Sequence, residues 1–380
     1  MSHEFFYPKT FKKLYFTNLK DSSKNDSGSL RDLLENNKEQ NVIICPDEKL
    51  KGIITLDSRI VIENRRSIIF DCEKRVSITG WALEFRNCHH FAIQNVAIRT
   101  TEVEIKKFYD GKRPSSSIGL DCLNFEKCTK VTVSNCSLWS SCDECISVVN
   151  CNNVHVVNTF IAFPLGGDKL LHPYGDLHAE CANCSSATNL CFFECVFAYY
   201  KMRGPQFECN DSESSRNVKM QCVNCVMYGF YESGSRYTTA ASDGKDAKSY
   251  KFQFVNNLYV TPVKKFRDYC IVMNSESGIH EKLKVYQNGN IHINEKEIQK
   301  VEITDSKGNI IDHKHIKNKK LFKLKCGLGV EIKDPYEFLK QTLQNAGVDD
   351  ELDRNAKRKM LKMDNWNIFK SYKEVMRFID

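Results

Sequence analysis

Between Leu83 and Ile161 apolar and polar positions alternate in one short pattern, written three times with identical offsets. Leu83-Glu84-Phe85, Cys88 and Phe91-Ala92-Ile93-Gln94-Asn95 reappear as Leu123-Asn124-Phe125, Cys128 and Val131-Thr132-Val133-Ser134-Asn135. They appear again as Ile146-Ser147-Val148, Cys151 and Val154-His155-Val156-Val157-Asn158. Alternation of period two marks strands with one buried face. Asn135 and Asn158 lie 23 residues apart, too close for a repeat of two helices but enough for short strands joined by turns. The spacing predicts the coil of a parallel β-helix. The pattern continues at Leu190, Phe192, Glu194, at Met220, Cys222, Asn224 and at Phe252, Phe254, Asn256, with spacings widened to 30–36 residues. Loops inserted into coils on one side produce such widening. Equivalent positions of a solenoid stack about 4.8 Å apart. Asn95, Asn135 and Asn158 are therefore expected to form a ladder whose amides bond to one another and to turn backbone.

The flanks break the pattern and predict the rest of the organisation. Residues 1–40 read as an N-terminal cap, with a short helix over Ser27–Glu35 and Ser29 as its N-cap. Residues 41–262 form the solenoid, with loops bulging at Thr101–Ser117, Pro164–Ala187 and Glu232–Lys248. Residues 263–333 read as mixed extended segments packed on the solenoid. Residues 334–380 are helical: Asp334 caps, Pro335 takes the first position, Gly347 stops the helix, and two more follow near Glu351–Leu361 and Ile368–Ile379.

Charge changes this picture little. The net charge is +7, and residues 263–380, with 24 Lys+Arg against 18 Asp+Glu, carry nearly all of it. The lysines there are interspersed with acids, which argues against a nucleic-acid tail. No eighteen apolar residues run together, so no membrane span is expected, and Met1–Lys9 lacks an apolar stretch of signal-peptide length. The expectation is a cytoplasmic or virion-associated protein; the Lys- and Asn-rich composition suits an AT-rich genome such as a large virus. Of the 18 cysteines, 16 precede Val263, and Cys88, Cys128 and Cys151 share one repeat position, which predicts a stacked row of reduced core residues. The pairs Cys142/Cys145, Cys181/Cys184 and Cys222/Cys225 have zinc-like spacing, but residues three apart on a strand face opposite ways.

Acids recur at one position. Two residues before Leu123, Ile146 and Ala182 stand Asp121, Glu144 and Glu180, each followed by a cysteine. On adjacent rungs such carboxylates raise one another's pKa unless a cation intervenes. Calcium, which takes several oxygen ligands in flexible geometry, is a natural answer. Strand parity turns Asp143 outward and Glu144 inward unless a turn separates it from the strand, so Asp143 with Asp121 is the better ligand pair.

Gly28-Ser29-Leu30-Arg31-Asp32, Trp139-Ser140-Ser141-Cys142-Asp143-Glu144, His172-Pro173-Tyr174-Gly175, Met202-Arg203-Gly204-Pro205-Gln206 and Val223-Asn224-Cys225-Val226-Met227-Tyr228 follow the order found in pectate lyases. The chain resembles that family, and the Trp-Ser-x-x-Asp-Glu and Arg-x-Pro pieces carry the resemblance. It implies an all-β, right-handed parallel β-helix and calcium-assisted β-elimination on an acidic polysaccharide such as polygalacturonate. Asp121 and Asp143 then fall at calcium-ligand positions, with Glu144 and Glu180 beside them, and Arg203 falls at the base position. Lys169 corresponds loosely to a lysine that holds the substrate carboxylate, and His172 and Tyr174 are further substrate-binding candidates. Departures accompany the matches: Gln206 replaces the second arginine of Arg-x-Pro-Arg, Ser147 a further carboxylate ligand, and Phe163 an acid. They support a second expectation, a catalytically inactive β-helix acting as a glycan-binding or virion component. Hydrolysis by paired carboxylates would need two acids across a groove, and no such Asp-Asp pair is visible.

Overall fold

Strand after strand, the chain returns to the same three sheets. The computed structural model describes residues 10–21, 28–117, 119–175, 177–208, 217–238, 249–262, 269–274, 282–294, 297–311, 323, 331–362 and 369–380. The first sheet has ten strands, running from Lys12–Phe16 and Val42–Pro46 through His89–Gln94, Thr129–Ser134 and Asn152–Val157 to Leu283–Asn288. The second has nine, including Leu83–Arg86, Leu123–Glu126, Glu144–Val149, Glu180–Ser185, Gln206–Glu208 and Ser235–Thr238. The third has ten, among them Ala97–Thr100, Ser137–Trp139, Phe160–Ala162 and Val196–Tyr200. This is a parallel β-helix, right-handed as parallel crossovers are. One exception closes the third sheet: Ile298–Lys300 pairs antiparallel with Ile291–Asn294, which blunts an otherwise open edge.

The register is the one the repeat dictates. Leu83, Leu123, Ile146 and Ala182 are successive partners, as are Phe85, Phe125, Val148, Cys184 and Phe207. Each of them is fully buried. In the first sheet Phe91, Val131, Val154, Leu190, Met220 and Phe252 stack in the same way. Stacking like on like puts Phe85 over Phe125 with ring centroids 5.2 Å apart. All 16 described cysteines are buried and none forms a disulfide. Burial pushes the thiols of Cys142, Cys145, Cys222 and Cys225 up, so they sit in the core as neutral, nearly apolar groups.

The asparagine column is real, but its physical basis is the backbone. Asn95, Asn135, Asn158, Asn224 and Asn256 have φ of 54°, 51°, 47°, 52° and 51°. Asparagine tolerates this left-handed region better than most residues. An amide contact joins neighbours of the column from Asn135 Nδ2 to Asn95 Oδ1, at a long 3.5 Å. The continuous ladder is made by main chain, Asn95 N–H to Ser134 O, Asn135 N–H to Val157 O and Asn158 N–H to Phe193 O.

Three differences from the sequence reading stand out. A strand, Lys12–Phe16, precedes the cap turn and pairs with Val42–Pro46. Behind it, Ser29 Oγ accepts from Asp32 N–H at the start of a single helical turn, Asp32–Asn36, which buries Leu34 against the core end. The stretch expected to be a loop after Thr101 is a helix, α1 (Glu102–Phe108), with acids in its first turn and Lys106 and Lys107 in its last, the arrangement a helix dipole favours. Strands between residues 271 and 305 continue the same three sheets. Part of the bulge expected over Glu232–Lys248 lies outside the described residues.

The C-terminal helices are α2 (Pro335–Asn345), α3 (Glu351–Leu361) and α4 (Tyr372–Ile379). Asp334 caps α2 by accepting from Tyr336 and Glu337 N–H, with Pro335 at the first position. Gly347, at φ 81°, follows α2, and a Cβ there would collide with Asp353 and Ser137. Its N–H donates to Asn158 O at 2.8 Å, which joins the helices to the solenoid. No helix among the described residues is long and apolar enough to cross a membrane.

Candidate functional site

The acids predicted to stack do stack, at the N-terminal ends of consecutive strands of the second sheet. Asp121 precedes Leu123–Glu126, Asp143 and Glu144 open the next rung, and Glu180, directly paired with Glu144, opens the one after. Asp121 Oδ1 accepts from Glu144 N–H at 3.1 Å, and Ser147 hydrogen-bonds the same Asp121 carboxylate. All four acids are buried. Glu144 does not point into the core as simple parity requires. Cys145 and Cys181 are missing from the paired register while remaining fully buried, and the Glu144 carboxylate lies with those of Asp143 and Glu180.

Three cationic or titratable groups meet these acids. Arg203, on the segment before Gln206–Glu208, pairs through Nη1 with Glu144 and through Nε with Glu180. Its backbone sits at φ 66°, and its carbonyl accepts from Ala182 N–H at 2.8 Å, fixing it one rung from Glu180. His178 Nε2 lies 2.7 Å from Asp143 Oδ1 and 3.3 Å from Glu180 Oε2. His172 Nε2 lies 3.4 Å from the same Asp143 oxygen. The two imidazoles stack face to face, centroids 4.0 Å apart and planes within 3°. Both come from the loop between Phe160–Ala162 and Glu180–Ser185. That loop is tied down by Leu165 N–H to Ser141 O, by Gly166 and Gly167 N–H to Phe369 O, and by a Lys106–Asp168 ion pair at 2.9 Å.

The electrostatics follow from packing four acids together. Burial, then the Asp143 and Glu144 charges, pushes Asp121 well above the usual carboxylate range. Burial and Asp143 push Glu144 up to about 8 against the opposing pull of Arg203. Asp143 goes the other way: burial would raise it, but hydrogen bonds from His172 and His178 outweigh burial and hold it far below its ordinary value. Burial alone would lower His178, yet the facing carboxylates of Asp143, Glu144 and Glu180 push it up to about 11. Arg203 is raised too, the charges of Glu180 and Glu144 overcoming its burial. Without an added cation the cluster balances itself with protons and one guanidinium.

Of the other sequence candidates, Tyr174 is 79 % exposed and packs edge-on against His172, with centroids 5.0 Å apart. Lys169 is exposed and has no hydrogen bond or ion pair to the cluster among the described residues. Phe163 stacks on Tyr199 in the core, with Phe369 and Phe378 at its edge, so it does not face the acids. Gln206 is buried and donates to Glu208 at 2.6 Å. Its register partner on the next rung is Arg236, so a second arginine enters this face from a strand away. Burial lowers the Arg236 pKa, with Arg203 adding repulsion. Sequence reasoning missed His178 and Arg236; the only signal for His178 was its place two residues before Glu180.

Asp121, Asp143 and Glu144 offer one oxygen each within 4.8 Å of one another, a donor set of hard oxygens that fits calcium. No protein-family model matches the sequence, and no curated protein does. Solved structures do match by shape. The cedar pollen allergen Jun a 1 superposes with a TM-score of 0.55 at 13 % identity, over 90 % of each chain. A pectate lyase from Paenibacillus sp. 0602 gives 0.56 at 10 % identity, over 90 % of this chain and 93 % of the other. A thermostable pectate lyase gives 0.51 at 10 % identity, over 88 % and 92 %. At such identity the likeness is one of architecture: the chain has the fold of the pectate lyases, a right-handed parallel β-helix with a C-terminal helical extension.

Proposed function

We propose that the outer face of the second sheet, around Asp121, Asp143, Glu144, Glu180 and Arg203, binds an acidic, uronate-type polysaccharide and cleaves it by β-elimination. The observation that carries this reading is the arrival of Arg203 among four buried acids from consecutive rungs. A site built only for stability has little reason to bury so much like charge. The pectate lyase fold supports the same reading as architecture. Calcium, held by Asp121, Asp143 and Glu144, would neutralise the uronate carboxylate and make the adjacent C5 proton more acidic. The elimination removes that proton, breaks the C4–O bond and leaves a C4=C5 double bond.

Arg203 is the candidate base, and its surroundings define what that role requires. A guanidinium loses its proton only with difficulty, and the carboxylates of Glu144 and Glu180 strengthen its hold on it. Turnover therefore needs those two acids drawn off Arg203 when substrate and cation enter. Tyr174, exposed beside His172, is placed to stack on a sugar ring.

A second reading, glycan binding without turnover, is favoured by the same ion pairs, which leave Arg203 a fixed positive charge. One experiment separates the two. Polygalacturonate is mixed with protein and calcium while the ultraviolet absorbance of the unsaturated product is followed, and gel retardation is measured in the same polymer. Rising absorbance that Arg203→Ala reduces at least 100-fold supports cleavage. Retardation without absorbance supports binding alone, and neither signal across several uronate polymers rejects both.

A further inference from the structure

The all-oxygen corner uses only part of the cluster; the histidines make another. His172 Nε2 and His178 Nε2 approach one oxygen, Asp143 Oδ1, at 3.4 and 2.7 Å, and Glu180 Oε2 lies 3.3 Å from His178 Nε2. Donor atoms bound to one tetrahedral ion at about 2.0–2.1 Å lie roughly 3.3 Å apart, close to the His172–Asp143 separation, while the 2.7 Å of His178–Asp143 is a hydrogen-bond distance that an ion would widen. Calcium takes oxygen, whereas neutral imidazole is a ligand for zinc and its first-row neighbours. Both rings are more than nine-tenths buried and lie parallel, with centroids 4.0 Å apart. Arg203 pairs with Glu144 and with Glu180 Oε2, the same oxygen that faces His178, so that carboxylate is already taken up by the guanidinium.

We infer that Asp143, His172 and His178 form a three-ligand binding site for a divalent transition-metal ion of the zinc type, distinct in chemistry from a calcium site. The inference does not depend on polysaccharide cleavage, because the ion is detected without substrate.

The test uses cobalt(II) as a coloured substitute for zinc. The full chain, stripped with chelator under reducing conditions, is titrated with cobalt(II) and its visible spectrum recorded. The expected result is one equivalent bound with the absorption of a four- or five-coordinate nitrogen–oxygen site. Zinc should bleach it, and a hundredfold excess of calcium should leave it. His172→Gln and His178→Gln should each weaken binding more than about 100-fold while melting as cooperatively as the parent. Should His178→Gln fail to fold, His172→Gln decides together with the calcium competition. An intense near-ultraviolet thiolate band would assign the ion to cysteines and overturn the inference. So would displacement by equimolar calcium, or unchanged cobalt affinity in folded histidine variants.

Discussion

Glu144 is where the cluster's electrostatic conflict concentrates, because burial and Asp143 both oppose its ionisation. Its folded pKa, about 8, lies above the ordinary 4.5, so between these values the folded chain holds a proton that the unfolded chain releases. Stability from this group is fully present below pH 4.5 and is lost as pH rises through about 8. In chelator, the melting temperature of the parent should fall between pH 5 and 6.5 more steeply than that of Glu144→Gln, which keeps the neutral form throughout. The raised pKa of His178 contributes only as pH approaches the ordinary His value of 6.5, and it does so in both proteins. Equal slopes would mean that Glu144 is ionised in the folded protein. At this scale the sequence was half legible. Asp121, Glu144 and Glu180 could be marked because a repeat aligns them, Asp143 by its strand parity, and Arg203 only through the resemblance to pectate lyases. His178 sits in an inserted loop that has no counterpart to be aligned with, and its return to the acids is a tertiary fact. Glu144 was read as inward unless a turn separates it from the strand; bends at residues 142–143 lead directly into it, and the apolar pattern does not mark them.

Single strands here are short, and what specifies them is the rung above and below. That is why the register was readable from offsets alone: a one-residue slip would send Phe125 and Val148 to solvent. The turns were readable in position, but their chemistry only in part. The asparagine column was expected to bond amide to amide and to turn backbone; Asn135 does reach Asn95, and the column also accommodates left-handed backbone. Substitution separates the two explanations. Asn135→Ala forces a Cβ-bearing residue without asparagine's tolerance into φ 51° and should cost about 1 kcal/mol, while Asn135→Gly should stay within a few tenths of the parent. Denaturant melts of both variants check this. Similar losses in alanine and glycine would restore the amide as the stabilising group. Helix α1 was missed for a related reason: seven residues without a repeat partner look like loop, and its capture relies on Phe108 packing edge-on against Trp81.

Across the whole molecule, the C-terminal helices act as a brace on the loop that carries both histidines. Arg99, in the third sheet, donates to Asp350 at 2.7 Å and Asp353 at 3.2 Å, and its guanidinium lies 4.7 Å from the centroid of the Trp139 ring. Asp353 is fully buried and also accepts from Ser137 Oγ at 2.5 Å. Further along, Tyr372 N–H donates to Glu102 at the start of α1, and the Phe369 carbonyl takes both Gly166 and Gly167 N–H. A chain of contacts thus runs from Arg99 through α3 and α4 to the loop that delivers His172 and His178. Removing one partner of a buried ion pair leaves the other charge uncompensated, a loss of about 3–5 kcal/mol. Arg99→Ala should therefore loosen α3 and α4, and hydrogen exchange should speed up there and in residues 164–175 together, while the strands of the first sheet keep their protection. Faster exchange confined to α3 and α4 would show that the loop is held by Ser141 and Lys106 alone. Joint loosening would mean that the candidate site depends on a tail docked more than two hundred residues away in sequence, with separations of 251 and 254 residues for the Arg99 bonds themselves.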